Sequence, residues 1–227
     1  MTVRRSTIGW AIAVTLTFAV VGGVWRYGII PTPSFPALAE RPDPTIAGRI
    51  AYVPADDDHG SDDRSCIVVV SASGGGPSRS LACGHRSYRR FAFDDTGRVL
   101  VESDDDRGEL TGTAYDPTTG AILARRLPFP DAGEGEPSLE AEGCHDDETE
   151  VRLVLRDGDG TVERVVFSAR APRDYCFEEV VMAPDGVHFA IVDSDGRLLV
   201  GSTDRSGLRL LREDVRSYES PVWSQAR

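Results

Sequence analysis

The stretch Met182-Ala-Pro-Asp-Gly-Val-His-Phe-Ala-Ile-Val-Asp-Ser-Asp195 decides the fold. Its Pro-Asp-Gly is turn chemistry, and the Phe-Ala-Ile-Val after it is strand chemistry, ended by a second Asp-rich turn. Degenerate copies recur at Phe93-Asp-Asp-Thr-Gly97, at Pro221-Val-Trp223-Ser224 and, more weakly, at Pro137-Ser-Leu139. Aligned on the residue that opens each copy, the intervals from Phe93 to Leu139, Met182 and Trp223 are 46, 43 and 41 residues. That is the repeat length of a four-stranded propeller blade.

Working outward, short runs of Val, Ile, Leu and aromatics alternate with Gly, Asp and Ser clusters from Gly48 onward, and no helical periodicity intervenes. The runs fall into four sets. The first comprises 49–53, 66–70 and 79–83; the second 88–93, 99–102, 112–115 and 122–127; the third 138–142, 151–155 and 162–167, with an ill-defined last strand before Cys176; the fourth 179–182, 188–192, 198–201 and 208–211. The first set lacks an opening strand, because Pro42-Asp-Pro44 precludes one. The C-terminal Ser220-Pro-Val-Trp-Ser224 reads as an opening strand with no set to follow it. Joining the two ends removes two sheet edges. The expected fold is therefore all-β: a small β-propeller of about four blades closed by the C-terminal strand. A β-sandwich is the competing arrangement for the same strands.

These repeats resemble the TolB-type, WD40-like propeller repeat, whose blades open with Trp-Ser-Pro-Asp-Gly followed by a strand such as Ile-Ala-Phe-Val. Met182, Ala183, Pro184, Asp185 and Gly186 occupy that element here, followed by Phe189-Ala-Ile-Val192. Phe93 and Gly97 match it, with Asp94 and Asp95 where Ser and Pro are usual; Trp223 and Ser224 match its first two positions, and Gly48-Arg-Ile-Ala-Tyr-Val53 the strand after it. The resemblance spans about residues 45 to 224 and lacks the TolB N-terminal domain. It implies recognition of an envelope partner rather than a reaction; the partner's identity does not carry over.

Residues 8–24 form an uncharged run preceded by Arg4 and Arg5 and bracketed by Trp10, Trp25 and Tyr27. At about 1.5 Å per residue, the run with its flanking aromatics reaches across a hydrocarbon core of roughly 30 Å. The positive charge before it keeps the N-terminus cytoplasmic and directs the rest of the chain outward. Residues 1–30 are expected to be a signal anchor, a single transmembrane helix, and the five prolines between Pro31 and Pro44 to make 31–47 a semi-extended stalk. Residues 48–227 would form the extracytoplasmic domain. Cleavage at Ala37-Leu38-Ala39, which has the small-x-small form of a signal-peptidase site, is the alternative and would make the protein secreted.

An exported domain with Cys66, Cys83, Cys144 and Cys176 is expected to hold two disulfides, for which three pairings exist. Cys66 and Cys83 lie symmetrically about Gly74-Gly75, and Cys144 and Cys176 about Asp157-Gly-Asp-Gly160, so the local pairs 66–83 and 144–176 are expected. All 25 basic residues are arginine and the net charge is −12, which repels nucleic acid and anionic lipid.

The acidic clusters 56–63, 104–106 and 145–148 are the densest concentrations of acidic residues. Asp157-Gly-Asp-Gly160 and Asp193-Ser-Asp-Gly196 begin like calcium loops, but neither continues to the EF-hand glutamate, and both suit tight hairpin turns. His59, His85, His145 and His188 are scattered singly. No nucleophile elbow or phosphate loop occurs, and Ser71-Ala-Ser-Gly-Gly-Gly76 reads as a hairpin turn. No catalytic, cofactor or metal residue is assigned. The expected function is a monomeric, membrane-tethered module that binds or scaffolds an envelope protein. A hydrolase or lyase, or a calcium-responsive sensor, using acidic propeller loops is the alternative.

Overall fold

The computed structural model describes residue 38 and residues 43–55, 65–84, 88–104, 108–129, 138–143, 150–172, 174–216 and 219–224. The chain divides into two units, Met1–Pro33 and Ser34–Arg227, and every described residue belongs to the second. The expected anchor and most of the stalk thus lie outside the described residues. Among those described, no helix is long and apolar enough to cross a membrane.

The described chain is all-β. Four antiparallel sheets succeed one another along the sequence, an arrangement consistent with a propeller. In the first, the C-terminal β15 (Val222–Ser224) pairs with β1 (Arg49–Tyr52), followed by β2 (Ser65–Ser71) and β3 (Arg79–Gly84). The second runs β4 (Tyr88–Phe93), β5 (Val99–Asp104), β6 (Leu110–Tyr115) and β7 (Ile122–Leu127). The third has three strands, β8 (Ser138–Glu142), β9 (Glu150–Arg156) and β10 (Val162–Arg170). The fourth runs β11 (Phe177–Met182), β12 (His188–Asp193), β13 (Leu198–Ser202) and β14 (Arg205–Arg212). The two chain ends meet in register: Arg49 opposes Ser224, Ile50 opposes Trp223 and Ala51 opposes Val222.

The central strands of the fourth sheet read as continuous apolar runs because both their faces are covered. Every residue of β13 is buried, as are Phe189 to Asp193 of β12. Three apolar clusters fill the spaces between sheets. One joins the first and fourth through Ile50, Val70, Val192, Leu198 and Trp223. A second joins the third and fourth through Leu153, Phe167, Phe177, Phe189 and Leu199. The last joins the first and second through Val53, Ile67, Phe91 and Val99. Among the described residues no such cluster links the second sheet to the third. Each of those two sheets carries ion pairs between its own strands: Arg90 of β4 with Glu102 of β5 at 2.8 Å, and Arg156 of β9 with both Glu140 and Glu142 of β8.

Part of the segment assigned to the stalk packs on the folded unit. Ile46 is buried in the first cluster, and Leu38 rests against the second. Asp43 accepts from Thr45, pairs with Arg209 at 3.0 Å, and its N–H donates to the Ser73 carbonyl at 2.8 Å.

Among the described residues, the ill-defined last strand expected before Cys176 does not form. The chain leaving β10 is drawn inward instead: Ala171 and Tyr175 are buried, and the Tyr175 N–H turns back onto the Pro172 carbonyl. Cys176 and Ser194 then exchange backbone and side-chain hydrogen bonds across the β12–β13 turn. Burying an aromatic outweighs extending an edge here, because Tyr175 stacks edge-on against Phe177 at 5.8 Å and its hydroxyl finds a buried acceptor.

Candidate functional site

The hairpins of this domain turn on one recurring device. In Asp94-Asp-Thr-Gly-Arg98 the Asp94 N–H donates to the Arg98 carbonyl and the Gly97 N–H to the Asp94 carbonyl, at 3.0 and 2.9 Å. The Asp94 side chain accepts from the N–H groups of Thr96 and Arg98, both at 2.9 Å. Asp157-Gly-Asp-Gly-Thr161 and Asp193-Ser-Asp-Gly-Arg197 repeat the same bonds. Glycine at the fourth position has φ between 70° and 80° in all three, which a residue with a Cβ adopts at a cost. The two calcium-like loops are therefore Asx turns whose leading carboxylate accepts from its own backbone N–H groups. Among the described residues no group of three His, Cys, Asp or Glu is placed to hold a metal.

Burial pushes the Asp94 carboxyl up, but the bonds from Thr96 and Arg98 outweigh it and hold the group below the usual carboxylate range. Asp185 is likewise held low: burial opposes, while His188 and Val187 donate to it. His188 Nδ1 lies 2.7 Å from Asp185 Oδ2, so the one described histidine is engaged at its own turn.

Three of the repeat copies meet. Phe93, Asp94, Asp95 and Gly97 from the β4–β5 turn, Pro184 from the β11–β12 turn, and Trp223 and Ser224 from β15 line a pocket of about 310 Å³. Two aromatic rings form walls and two carboxylates stand at the β4–β5 side. Trp223 Nε1 donates to the Ala47 carbonyl at 3.2 Å, which fixes the indole. The Ser224 hydroxyl bonds the backbone of Arg49, accepting from its N–H at 3.1 Å. Among the described residues the lining holds no histidine, cysteine or lysine, so no imidazole or amine base stands beside the serine. A smaller cavity of about 90 Å³ between the first and fourth sheets is lined by Asp43, Arg209 and neighbouring apolar residues.

Of the four cysteines, Cys66 and Cys83 are disulfide-bonded across β2 and β3, with Cα atoms 4.2 Å apart, and neither lines the pocket. Cys176 is also disulfide-bonded, while Cys144, its expected partner, lies outside the described residues. So do the acidic stretches 56–63, 105–106 and 145–148 and the histidines His59, His85 and His145. The Gly-rich run 71–76 is a hairpin turn, closed by the Gly74 N–H on the Ser71 carbonyl at 3.0 Å.

Sequence reasoning missed a buried polar network. The Tyr175 hydroxyl donates to Asp193 Oδ2 at 3.0 Å, and Arg197 Nε reaches the same oxygen at 2.9 Å. Asp193 is fully buried. Burial, the Asp193 charge and the hydrogen bond to it all push the Tyr175 hydroxyl far above its ordinary value, against the opposing pull of Arg197. The signal was present as the identical Asp-x-x-Gly spacing of Asp94, Asp157 and Asp193, although nothing in that spacing marks which copy is buried.

No protein-family model matches the chain, and no curated protein matches it. Solved structures similar to it include the C-terminal WD40 domain of Sif2, at 15% identity and a TM-score of 0.21, covering 76% of this chain and 47% of that one. A protein assigned as a 6-phosphogluconolactonase from Bacteroides uniformis aligns at 18% identity and a TM-score of 0.22, covering 75% of this chain and 55% of that one. The chain thus spans about half the length of each. At such TM-scores neither likeness carries an argument about function.

Proposed function

We propose that residues 48–227 form a four-bladed, TolB-like β-propeller, closed by β15 and tethered to the membrane by residues 1–30, that binds a protein partner on the extracytoplasmic side. The observation that carries the binding reading is the pocket where three repeat copies converge, with Phe93 and Trp223 as walls and Asp94 and Asp95 beside them. The aromatic walls suit a basic or aromatic side chain of a partner, the residue types that anchor protein interfaces, while the Asp94 carboxylate is already engaged by its own turn and by Arg98 Nε at 2.6 Å. The pocket volume is near the lower end of small-molecule sites, which run from roughly 300 to 1,000 Å³, and matches one inserted side chain.

The test is crosslinking in intact cells followed by mass spectrometry, with the full chain and with Asp95→Arg. One dominant envelope protein, lost in the variant, is the expected result. Recovery of only abundant neighbours, unchanged by Asp95→Arg, overturns the reading.

A further inference from the structure

Residues 43–48 form a strap between the first and fourth sheets. At its start the Asp43 N–H donates to the Ser73 carbonyl at 2.8 Å, on the β2–β3 turn of the first sheet. The Asp43 carboxylate pairs with Arg209 of β14, in the fourth sheet, at 3.0 Å, and accepts from the Thr45 N–H at 3.0 Å. The Ile46 N–H returns to the Asp43 carbonyl at 3.1 Å, and the Ile46 side chain is buried in the same apolar cluster as Trp223.

At its other end the strap holds Trp223 directly. The Ala47 carbonyl accepts from Trp223 Nε1 at 3.2 Å, and the Gly48 carbonyl accepts from the Ala72 N–H at 3.1 Å. An indole N–H is a donor only, so without Ala47 a largely buried donor would stand unpaired unless the ring turned to another partner. Trp223 is also a wall of the pocket where the repeat copies converge. The strap therefore runs from the Asp43–Arg209 ion pair to the pocket. Packing around the ion pair is incomplete, because a cavity of about 90 Å³ is lined by Asp43 and Ile46 together with Ser73, Val200 and Arg209. A void removes dispersion contacts that would otherwise hold the segment, which leaves more of the hold to the polar bonds of Asp43.

We propose that residues 43–48 position the Trp223 wall of the pocket and that the Asp43–Arg209 ion pair fixes the strap, so that releasing the pair frees the indole from the Ala47 carbonyl and weakens binding in the pocket. Asp43 and Arg209 are then positioning residues for a site that neither of them lines. The strap lies between residues 1–30 and the sheets in the sequence, so it is also a route by which the N-terminal part of the chain acts on the pocket. The inference rests on the reading of that pocket as the binding site.

Asp43→Asn keeps an oxygen to accept from Thr45 and removes the charge that faces Arg209, and Arg209→Gln removes the pair from the other side. The first readout is solvent exchange of the Trp223 indole N–H, followed by NMR on the full chain in detergent and assigned with Trp223→Phe. It should quicken about threefold or more in either variant, and no further in the double variant, while the amides of β12 and β13 keep the parent's rates. The second readout is recovery of the crosslinked envelope protein from intact cells, which should fall by a similar factor in both variants at equal protein levels. Unchanged indole exchange overturns the inference. So does quickening of the β12 and β13 amides to the same degree, which would make the effect a general loss of stability. Faster indole exchange with undiminished recovery overturns the control of binding and leaves the pocket reading standing. Recovery that Asp95→Arg does not lower sinks the pocket reading itself, and the control of it with it.

Discussion

Gly48 offers the sharpest test of how the ring of strands is joined. It sits at φ +99°, just before β1, and a Cβ built there would lie 2.5 Å from the Ser224 carbonyl oxygen and 2.6 Å from Trp223 Nε1. Both atoms belong to β15, so Gly48→Ala drives a methyl group into the contact between the two chain ends. A left-handed conformation costs a residue with a Cβ about 1–2 kcal/mol. Overpacking against a fixed backbone oxygen and a buried indole adds about 1–3 kcal/mol. Gly97 is the control, because its φ is +80° and a Cβ there meets nothing within 4 Å. Gly97→Ala should therefore lose only the first contribution. At about 2–4 °C per kcal/mol for a chain of this size, Gly48→Ala should melt roughly 5–15 °C below the parent and clearly below Gly97→Ala. Thermal unfolding followed by circular dichroism, on the full chain with disulfides intact, measures both. Hydrogen exchange should also rise at β1 and β15 in Gly48→Ala alone. Equal melting temperatures for the two variants would refute the claim that Gly48 is required by the Trp223–Ser224 contact.

Other expectations concern the polar groups and the crosslink. Tyr175 has its folded-state hydroxyl pushed above the unfolded value, so its contribution is full below about pH 10 and is lost as pH rises beyond it. Tyr175→Phe should flatten the alkaline limb of a stability–pH profile; an unchanged limb would rule the Asp193 contact out as its cause. Asp94 and Asp185 are held low, so their contributions are present above about pH 4 and vanish as pH falls through their folded values. Asp94→Asn should shrink the stability lost between neutral pH and about pH 3 in urea unfolding, and an identical acid loss in the variant would count against the turn carboxylate. Cys66 and Cys83 close a loop with a separation of 17 residues, so a Cys66→Ser, Cys83→Ser variant should lose about 3 kcal/mol by denaturant titration; no loss would show that the unfolded chain is already constrained there.

The central strands of the fourth sheet were legible because both their faces are covered, which leaves nearly uninterrupted apolar runs such as Phe189-Ala-Ile-Val192 and Leu198-Leu-Val-Gly201, punctuated by Asp and Gly turns. The pairing of the chain ends was legible as well: one set lacked an opening strand while Val222–Ser224 lacked a set, and β15 does pair with β1. The acidic loops were harder. Asp157 and Asp193 look alike as ligand candidates and as turn formers, and only the observed bonds to backbone N–H groups assign them to turns.

By itself, then, the sequence determined what is local: strand positions, hairpin turns and the repeat that spaces them, because each depends on the preferences of a few adjacent residues. Tertiary structure alone decided that Phe93, Pro184 and Trp223 share one pocket, since they are up to 130 residues apart and are assembled by sheet packing. It also decided that, among the described residues, the third sheet has three strands. Residues 171–176 have the length to begin a strand, but burying Tyr175 on Asp193 and Phe177 outweighs the few edge hydrogen bonds such a strand would gain.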